Sequence, residues 1–352
     1  MRIDSIDIMK ICLKRKEPFR IATGTSKDVI NFIILLKSGE LTGIGVAVPN
    51  LVTGETDDSV LYAIQTICSE VRGLDAEKLE EIHNLMNEVI PRSPAVACGF
   101  DLALYDLVAK SEGKEVCDIL GRNKMTIETS YTLGIAPLRE TIEKARIAVG
   151  HGFHILKVKV GLNVEEDIRR IAALREVFGR QVVMRIDANQ GYSFEEADKF
   201  LQAVEPFDIE FVEQPVKAVE LRALEKLASR SSIPIMADES AKSLQDVEKI
   251  VAENLASMVN IKLVKFGGVF QSRLVDELCC DHGLKTQVGC MSECQASIAG
   301  GLHFSLSGRS VEYADLDSHF FFINDPTEGV KFDRGFLYPS GRPGLGTKLL
   351  GI

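Results

Sequence analysis

Little in this 352-residue chain points to a membrane, a nucleic acid or a disulfide scaffold. No stretch approaches the roughly 18 uninterrupted apolar residues that a spanning helix needs. The opening MRIDSIDIMK mixes charge with strand-like alternation where a signal peptide would be apolar. A cytoplasmic location is therefore the default expectation. Clusters of Lys and Arg are missing too, and the formal net charge of -10 disfavours a phosphate backbone as partner. The eight cysteines, at positions 12, 68, 98, 117, 279, 280, 290 and 294, have neither the paired spacing of a zinc ribbon nor the density of a disulfide framework. They read as mostly buried thiols, and the Cys290–Cys294 pair has no second half with which to hold zinc. No G-x-G-x-x-G follows an early strand, because GIGVAVP lacks the third glycine and the helix. Dinucleotide binding and a doubly wound open sheet lose support on that ground.

What is present is a large core in prospect: 45% of residues are hydrophobic and 26% charged, enough for one big domain and a smaller one. The first 125 residues carry strand-like runs, RIDSIDIMKICLK and VINFIILLKSG, with GELTGIG as a turn between further strand residues. Helical periodicity follows in SVLYAIQTICSEVRG, AEKLEEIHNLMNEVI and PAVACGFDLALYDLVAKSEG. Strands first and helices afterwards predict an α+β lobe built on an antiparallel sheet. From Thr126 the pattern becomes short strand and longer helix in alternation, at a period of about 25 to 30 residues. Eight strands are predicted, in TSYTLGI, ILKVKVG, VVMRIDAN, IEFVEQP, IPIMADE, MVNIKLV, LKTQVGC and VEYADLD. The fold class is α/β, a TIM-type (β/α) barrel over residues 126–321 with the α+β lobe in front.

The chemistry sits where these runs end. Lys157 and Lys159, Asp187, Glu213, Asp238 and Lys262 each close an apolar run and precede Gly, Pro, Asn or Ser, so each is expected where a buried parallel strand opens into a loop. Barrel enzymes keep their active sites on that face. His151 and His154, in the loop before ILKVKV, fall at the opposite face. Asp187, Glu213 and Asp238 lie on three neighbouring strands and can converge. Three carboxylates in a small volume repel unless a cation joins them, and oxygen ligands suit a hard divalent ion, Mg²⁺. Taken singly, each acid has a plainer reading as a helix cap or a partner of a nearby lysine. Lys157 and Lys159 are two apart and so share the inward side of one strand, while Lys262 lies four strands round. A neighbouring cation and the metal are expected to lower a lysine pKa toward working pH.

The succession KxK, DAN, VEQP, ADES and NIKL resembles the enolase superfamily, in its muconate-lactonizing-like subgroup, and the likeness runs along nearly the whole chain. The resemblance implies a modified barrel, a capping domain of residues 1–125 completed by a final segment of about 322–352, and abstraction of a proton next to a carboxylate. Asp315 and Asp317, in VEYADLDSH, look like the motif with which dipeptide epimerases hold an α-ammonium group, a role that two inward carboxylates on one strand suit. Under that resemblance the substrate is a dipeptide. Asp187, Glu213 and Asp238 hold Mg²⁺, Lys159 and Lys262 exchange the α-proton from opposite faces, and Lys157 stabilises charge on the carboxylate.

Side-chain specificity falls to the loops 19–27 and 49–56, with Thr23, Gly24 and Leu51 as candidate contacts, joined by Met291, Ser292 and Glu293 after the seventh strand. Relatives that act on L-Ala-Glu place an arginine where this chain has Gly24; Arg20 or Lys27 is then the candidate substitute. Ile21, Ala22, Leu51 and Val52 favour hydrophobic or broad dipeptides instead. The alternatives are L-Ala-D/L-Glu epimerase, muconate cycloisomerase, o-succinylbenzoate synthase, N-acylamino-acid racemase, and a non-catalytic binding protein of the same fold. The expected partner is a small-molecule dipeptide, with no nucleic acid or membrane and with homo-oligomerisation left open.

Overall fold

The computed structural model describes residues 1–351; Ile352, the end of the expected final segment, lies outside the described residues. The N-terminal lobe opens with a three-stranded antiparallel sheet of Ser5–Ile21, Gly24–Ser38 and Leu41–Ala47, paired in chain order. The first two strands are much longer than the alternation alone predicts, and they meet in a hairpin whose tip holds Ala22 and Thr23. Near that tip the first strand bulges. Lys14 pairs with Asp28 and Phe19 with Ser26, so four residues, Arg15 to Pro18, face Lys27 alone. The central strand is apolar without alternation because both its faces are covered, with Phe32, Ile33, Ile34 and Leu36 fully buried.

Three longer helices follow, Asp57–Val71, Leu79–Val89 and Pro94–Ser111, and then the one-turn helix Val116–Ile119. The third is apolar on nearly every side and lies against both the sheet and the barrel. It approaches the third strand backbone to backbone: a Cβ added at Gly45 would stand 1.9 Å from the Gly99 carbonyl oxygen. Glycine is required there by the contact alone.

The second half forms eight parallel strands at the eight predicted positions, hydrogen-bonded in sequence order. They are Tyr131–Leu133, Ile155–Lys159, Val183–Asp187, Ile209–Glu213, Ile235–Ala237, Met258–Ile261, Lys285–Gly289 and Val311–Asp315. A parallel bridge between Thr129 and Ala314 closes the seam between first and eighth. Helices cover the first seven connections. After the eighth strand there is only the short turn Ser318–Phe321, and the chain then runs back along the lobe, where the Ile323 amide donates to the Lys14 carbonyl.

The final residues make short strands, Thr327–Glu328 with Lys348–Leu349, and Val330–Asp333 with Phe336–Pro339. Asp106 on the third helix ties them to the lobe: one carboxylate oxygen accepts from the Leu345 amide and the other from the Ile44 amide, both at 2.7 Å. One continuous apolar core runs from lobe to barrel. No helix among the described residues is long and apolar enough to cross a membrane.

Candidate active site

The strand pleat sorts the second barrel strand. Leu156 and Val158 point out toward the helices, and Lys157 and Lys159 point in. Register then carries the charge round the rim, because Lys159 lies beside Asp187 and Asp187 beside Glu213 on neighbouring strands. Asp238 and Lys262 are the first residues beyond the fifth and sixth strands. All six are buried in the barrel mouth.

Lys157 sits one pleat deeper than Lys159. Its Nζ lies 2.6 Å from Asp315, 2.8 Å from Glu213 and 3.1 Å from Asp187. Lys159 donates to Asp187 at 2.6 Å, and Lys262 to Asp238 at 2.7 Å. Among the described residues no three acidic, His or Cys side chains stand close enough to chelate an ion directly as placed. Asp187, Glu213 and Asp238 are instead brought together around the ammonium groups, which serve as their counter-cations.

That arrangement reverses the expected direction of the pKa for Lys157 and Lys262. Burial alone would lower Lys157, but Asp315, Glu213 and Asp187 outweigh it and hold the amine well above the usual range. Lys262 is raised in the same way, by Asp238 and Glu213 against the pull of burial. The adjacent-cation effect is overruled because carboxylates are nearer than the other lysines. Among the acids, burial pushes Asp187 and Asp238 up, and the lysines more than reverse it. Glu213 ends at about 7, raised by burial and by Asp187.

Residues outside the predicted set complete the cluster. Lys265, three positions after Lys262, gives all three protons away: to Asp238 Oδ1 at 2.6 Å, to the Asp238 carbonyl at 2.7 Å and to the Asn260 carbonyl at 2.9 Å. Glu239 is pushed up to about 8 by burial and then by Asp238 and Asp187, and its Oε2 is buried without a hydrogen bond. The ADES and NIKLVK strings held both signals, but each residue lies past the strand end, where alternation no longer says which way a side chain points.

Asp315 and Asp317 close the seam. Asp315 accepts from Ser130 at 2.8 Å and Thr132 at 3.3 Å as well as from Lys157, and Asp317 Oδ2 accepts the Thr132 amide at 2.6 Å. Asp317 Oδ1 makes no hydrogen bond among the described residues. Burial, followed by the Asp315 charge, pushes Asp317 up to about 7; burial pushes Asp315 up too, but Lys157 and Lys159 outweigh it and bring Asp315 down to about 2.

Above these groups a cleft of about 540 Å³ lies between barrel and lobe. Lys159, Lys262, Asp315 and Asp317 line its floor, and Thr23, Gly24, Leu51, Met291 and Ser292 line its walls. Lys157, Asp187, Glu213 and Asp238 lie beneath the floor. Glu293 does not reach the cleft: its carboxylate accepts the Met291 amide at 2.6 Å and the Ser297 hydroxyl, so the acid holds its own loop together. Arg20 and Lys27 are exposed on the hairpin and do not line the cleft either. The arginine that does is Arg15, delivered by the bulge, which no strand alternation would foretell. His154 sits at the other end of the barrel beside Glu128, and Cys294 starts the helix Gln295–Ser305.

Comparison with known proteins gives this geometry a lineage. Residues 5–121 match the mandelate racemase / muconate lactonizing enzyme N-terminal domain, and residues 140–350 match the enolase C-terminal domain-like family. The chain is 36% identical to an L-Lys-D/L-Arg epimerase of Desulforapulum autotrophicum, over 99% of both chains. It is 34% identical to a hydrophobic dipeptide epimerase of Enterococcus faecalis, over 98% of this chain and 99% of that one. The crystal structure of the dipeptide epimerase from Enterococcus faecalis V583, complexed with Mg and the dipeptide L-Leu-L-Tyr, superposes with a TM-score of 0.96 at 33% identity, covering 99% of this chain and all of that one. On family matches that span both lobe and barrel, the chain belongs to the mandelate racemase / muconate lactonizing enzyme family of the enolase superfamily.

Proposed function

We propose that this protein is a Mg²⁺-dependent dipeptide epimerase that inverts the α-carbon next to the C-terminal carboxylate by two-base proton transfer between Lys159 and Lys262. The single observation that carries the proposal is the pairing of those two lysines. They stand on the second and sixth of eight strands, on opposite sides of one cleft, and each spends only one hydrogen bond on a carboxylate. Lys157 and Lys265 are tied by three partners each and lie under the floor, so neither is free to move a proton to a substrate.

The donor set fits a divalent cation. Six buried carboxyl groups (Asp187, Glu213, Asp238, Glu239, Asp315, Asp317) meet four buried ammonium groups (Lys157, Lys159, Lys262, Lys265), an excess of two acids over lysines. The unbonded Glu239 Oε2 and the upward push on Glu213 and Glu239 mark that excess. Asp187, Glu213 and Asp238 would hold Mg²⁺ through oxygens alone, as that ion prefers. When bound, the ion draws charge from the substrate carboxylate and so acidifies the adjacent C–H. It would also take over the carboxylate charge that now holds Lys157 and Lys262 protonated.

The remaining work belongs to side chains. With Asp187 and Glu213 turned to the ion, Lys157 would be released from two of its three partners to donate to the carboxylate oxygen on which charge develops. Asp317, with one oxygen unspent, and Asp315 receive the α-ammonium. Lys159 takes the proton from the L-configured centre and Lys262 returns one to the other face, with the roles exchanged for the D-configured centre. The apolar wall of Ile21, Leu51 and Val52 supports hydrophobic or broad side chains at the reacting residue.

The test is α-proton exchange in D₂O, read by mass spectrometry and chiral analysis. Lys262→Ala should still wash deuterium into the L,L dipeptide, Lys159→Ala into the L,D one, and each should lose epimerisation by at least about 10²-fold. Epimerisation at the parent rate in either variant rejects the two-base scheme.

A further inference from the structure

Arg15 is a cation without an anion. The guanidinium is 8% exposed and lies 4.8 Å from the Phe19 ring and 5.1 Å from the Phe322 ring. Its Nε donates to the Ser26 hydroxyl at 3.2 Å and one terminal nitrogen to the Ser292 hydroxyl. The other terminal nitrogen makes no hydrogen bond among the described residues, and no acid forms an ion pair with it. A guanidinium carries five N–H donors shaped for a carboxylate, and burying one against hydroxyls alone leaves its charge uncompensated. Burial accordingly lowers its pKa, with the Asp317 charge opposing.

Position fixes which part of a substrate it would meet. Arg15 projects from the hairpin bulge and meets the loop after the seventh strand at Ser292 and the segment after the eighth at Phe322. The acid whose charge it feels is Asp317, at the ammonium end of the cleft, not Asp187, Glu213 or Asp238 at the carboxylate end. Arg15 and Asp317 line the same cleft and form no ion pair with each other, so a group bearing both charges can meet both.

We propose that Arg15 binds a carboxylate on the residue at the ammonium end of the substrate, so that the enzyme prefers dipeptides whose N-terminal residue is acidic. This rests on the dipeptide reading above and adds to it: the reacting residue keeps its apolar wall, and its neighbour is held as a zwitterion with ammonium on Asp317 and side-chain carboxylate on Arg15. An N-acyl dicarboxylate, such as an N-succinyl amino acid, would offer the same carboxylate without the ammonium.

The experiment compares L-Glu-L-Leu, its neutral isostere L-Gln-L-Leu and N-succinyl-L-Leu as substrates for α-proton exchange in D₂O with Mg²⁺. The parent should favour Glu-Leu over Gln-Leu in kcat/KM by about tenfold or more, the scale of a charge-assisted pair. Arg15→Met, which can still lie between the two rings, should bring that ratio to about one; Arg15→Lys should keep part of the ratio. A parent ratio near one overturns the inference, as does an undiminished ratio in both variants, since a residue that merely straps hairpin to barrel would slow both substrates alike. Faster exchange of N-succinyl-Leu than of Glu-Leu overturns the assignment to dipeptides. Absence of exchange with all three substrates overturns the epimerase reading, and this inference with it.

Discussion

Lys262 and Lys265 differ by three positions and by what they have left to give. One faces the cleft with two protons unspent, and the other is a fixed strut between Asp238 and the sixth strand. The same contrast separates Asp317, with a free oxygen, from Asp315, whose oxygens are all engaged. Asp317 is therefore the acid whose titration should be visible in the kinetics. With its pKa near 7, it is charged above that pH and neutral below, and only the charged form pairs well with an ammonium. For a dipeptide, kcat/KM should fall as pH drops through 7, and Asp317→Asn should be slower and lose the part of that fall that Asp317 contributes. An unchanged rate and profile in that variant would exclude ammonium recognition there. At this scale the sequence was readable where side chains sit two apart on a strand, as for Lys157 and Lys159. It was not readable where a bulge or a strand end breaks the alternation, which is why Arg15, Glu239 and Lys265 emerge only from the folded chain.

Elements were legible to the extent that their signals are local. The barrel strands are short apolar runs cut off by Gly, Pro or Asn, and the helices between them carry their own period. The strands of the lobe were harder to size, because the hairpin arms extend through charged sequence, KRKEP and TSKD, that only pairing makes strand. Nor does sequence alone reveal how close two elements lie. Gly43, Gly45 and Gly99 read as turn or flexibility signals, yet they are the contact surface between the third strand and the third helix. A methyl at Gly99 would meet Ile34 Cδ1 at 2.6 Å and the Ala47 nitrogen at 2.9 Å. Gly99→Ala should therefore destabilise the protein by about 1–3 kcal/mol, measured as a lower midpoint in urea. Because the strand must move backbone first, the loop of residues 49–56 would shift with it, and KM should rise more than kcat falls. Parent stability in the Gly99→Ala variant would mean that the helix and sheet can part at little cost.

Across the whole molecule, the excess of acids over lysines in the barrel mouth would make folding and ion binding one equilibrium. In the proposed function Mg²⁺ would bind the assembled cluster and not the unfolded chain, so it should raise Tm as its concentration passes its Kd, by about 2.7 kcal/mol of stability at a hundredfold excess. Ca²⁺ offers the same charge with a larger radius and serves as a comparison. A Tm indifferent to divalent ions, with Asp187→Asn as stable as the parent in EDTA and in Mg²⁺, would argue against a cation among these acids. The order of strands and helices foretold the barrel, but the return of the final residues onto the lobe depends on contacts such as Asp106 to Leu345, 239 positions apart. The seam carries one last implication. Asp315 and Asp317 close the cylinder and, in the function proposed above, also meet the substrate, whereas Leu51, 88% exposed, and Thr23, exposed at the hairpin tip, carry little packing. Change at the cap is therefore free to wander, and change at the seam is taxed by folding. Descendants of this protein should diversify in the side chains they accept long before they abandon the charged end they grip.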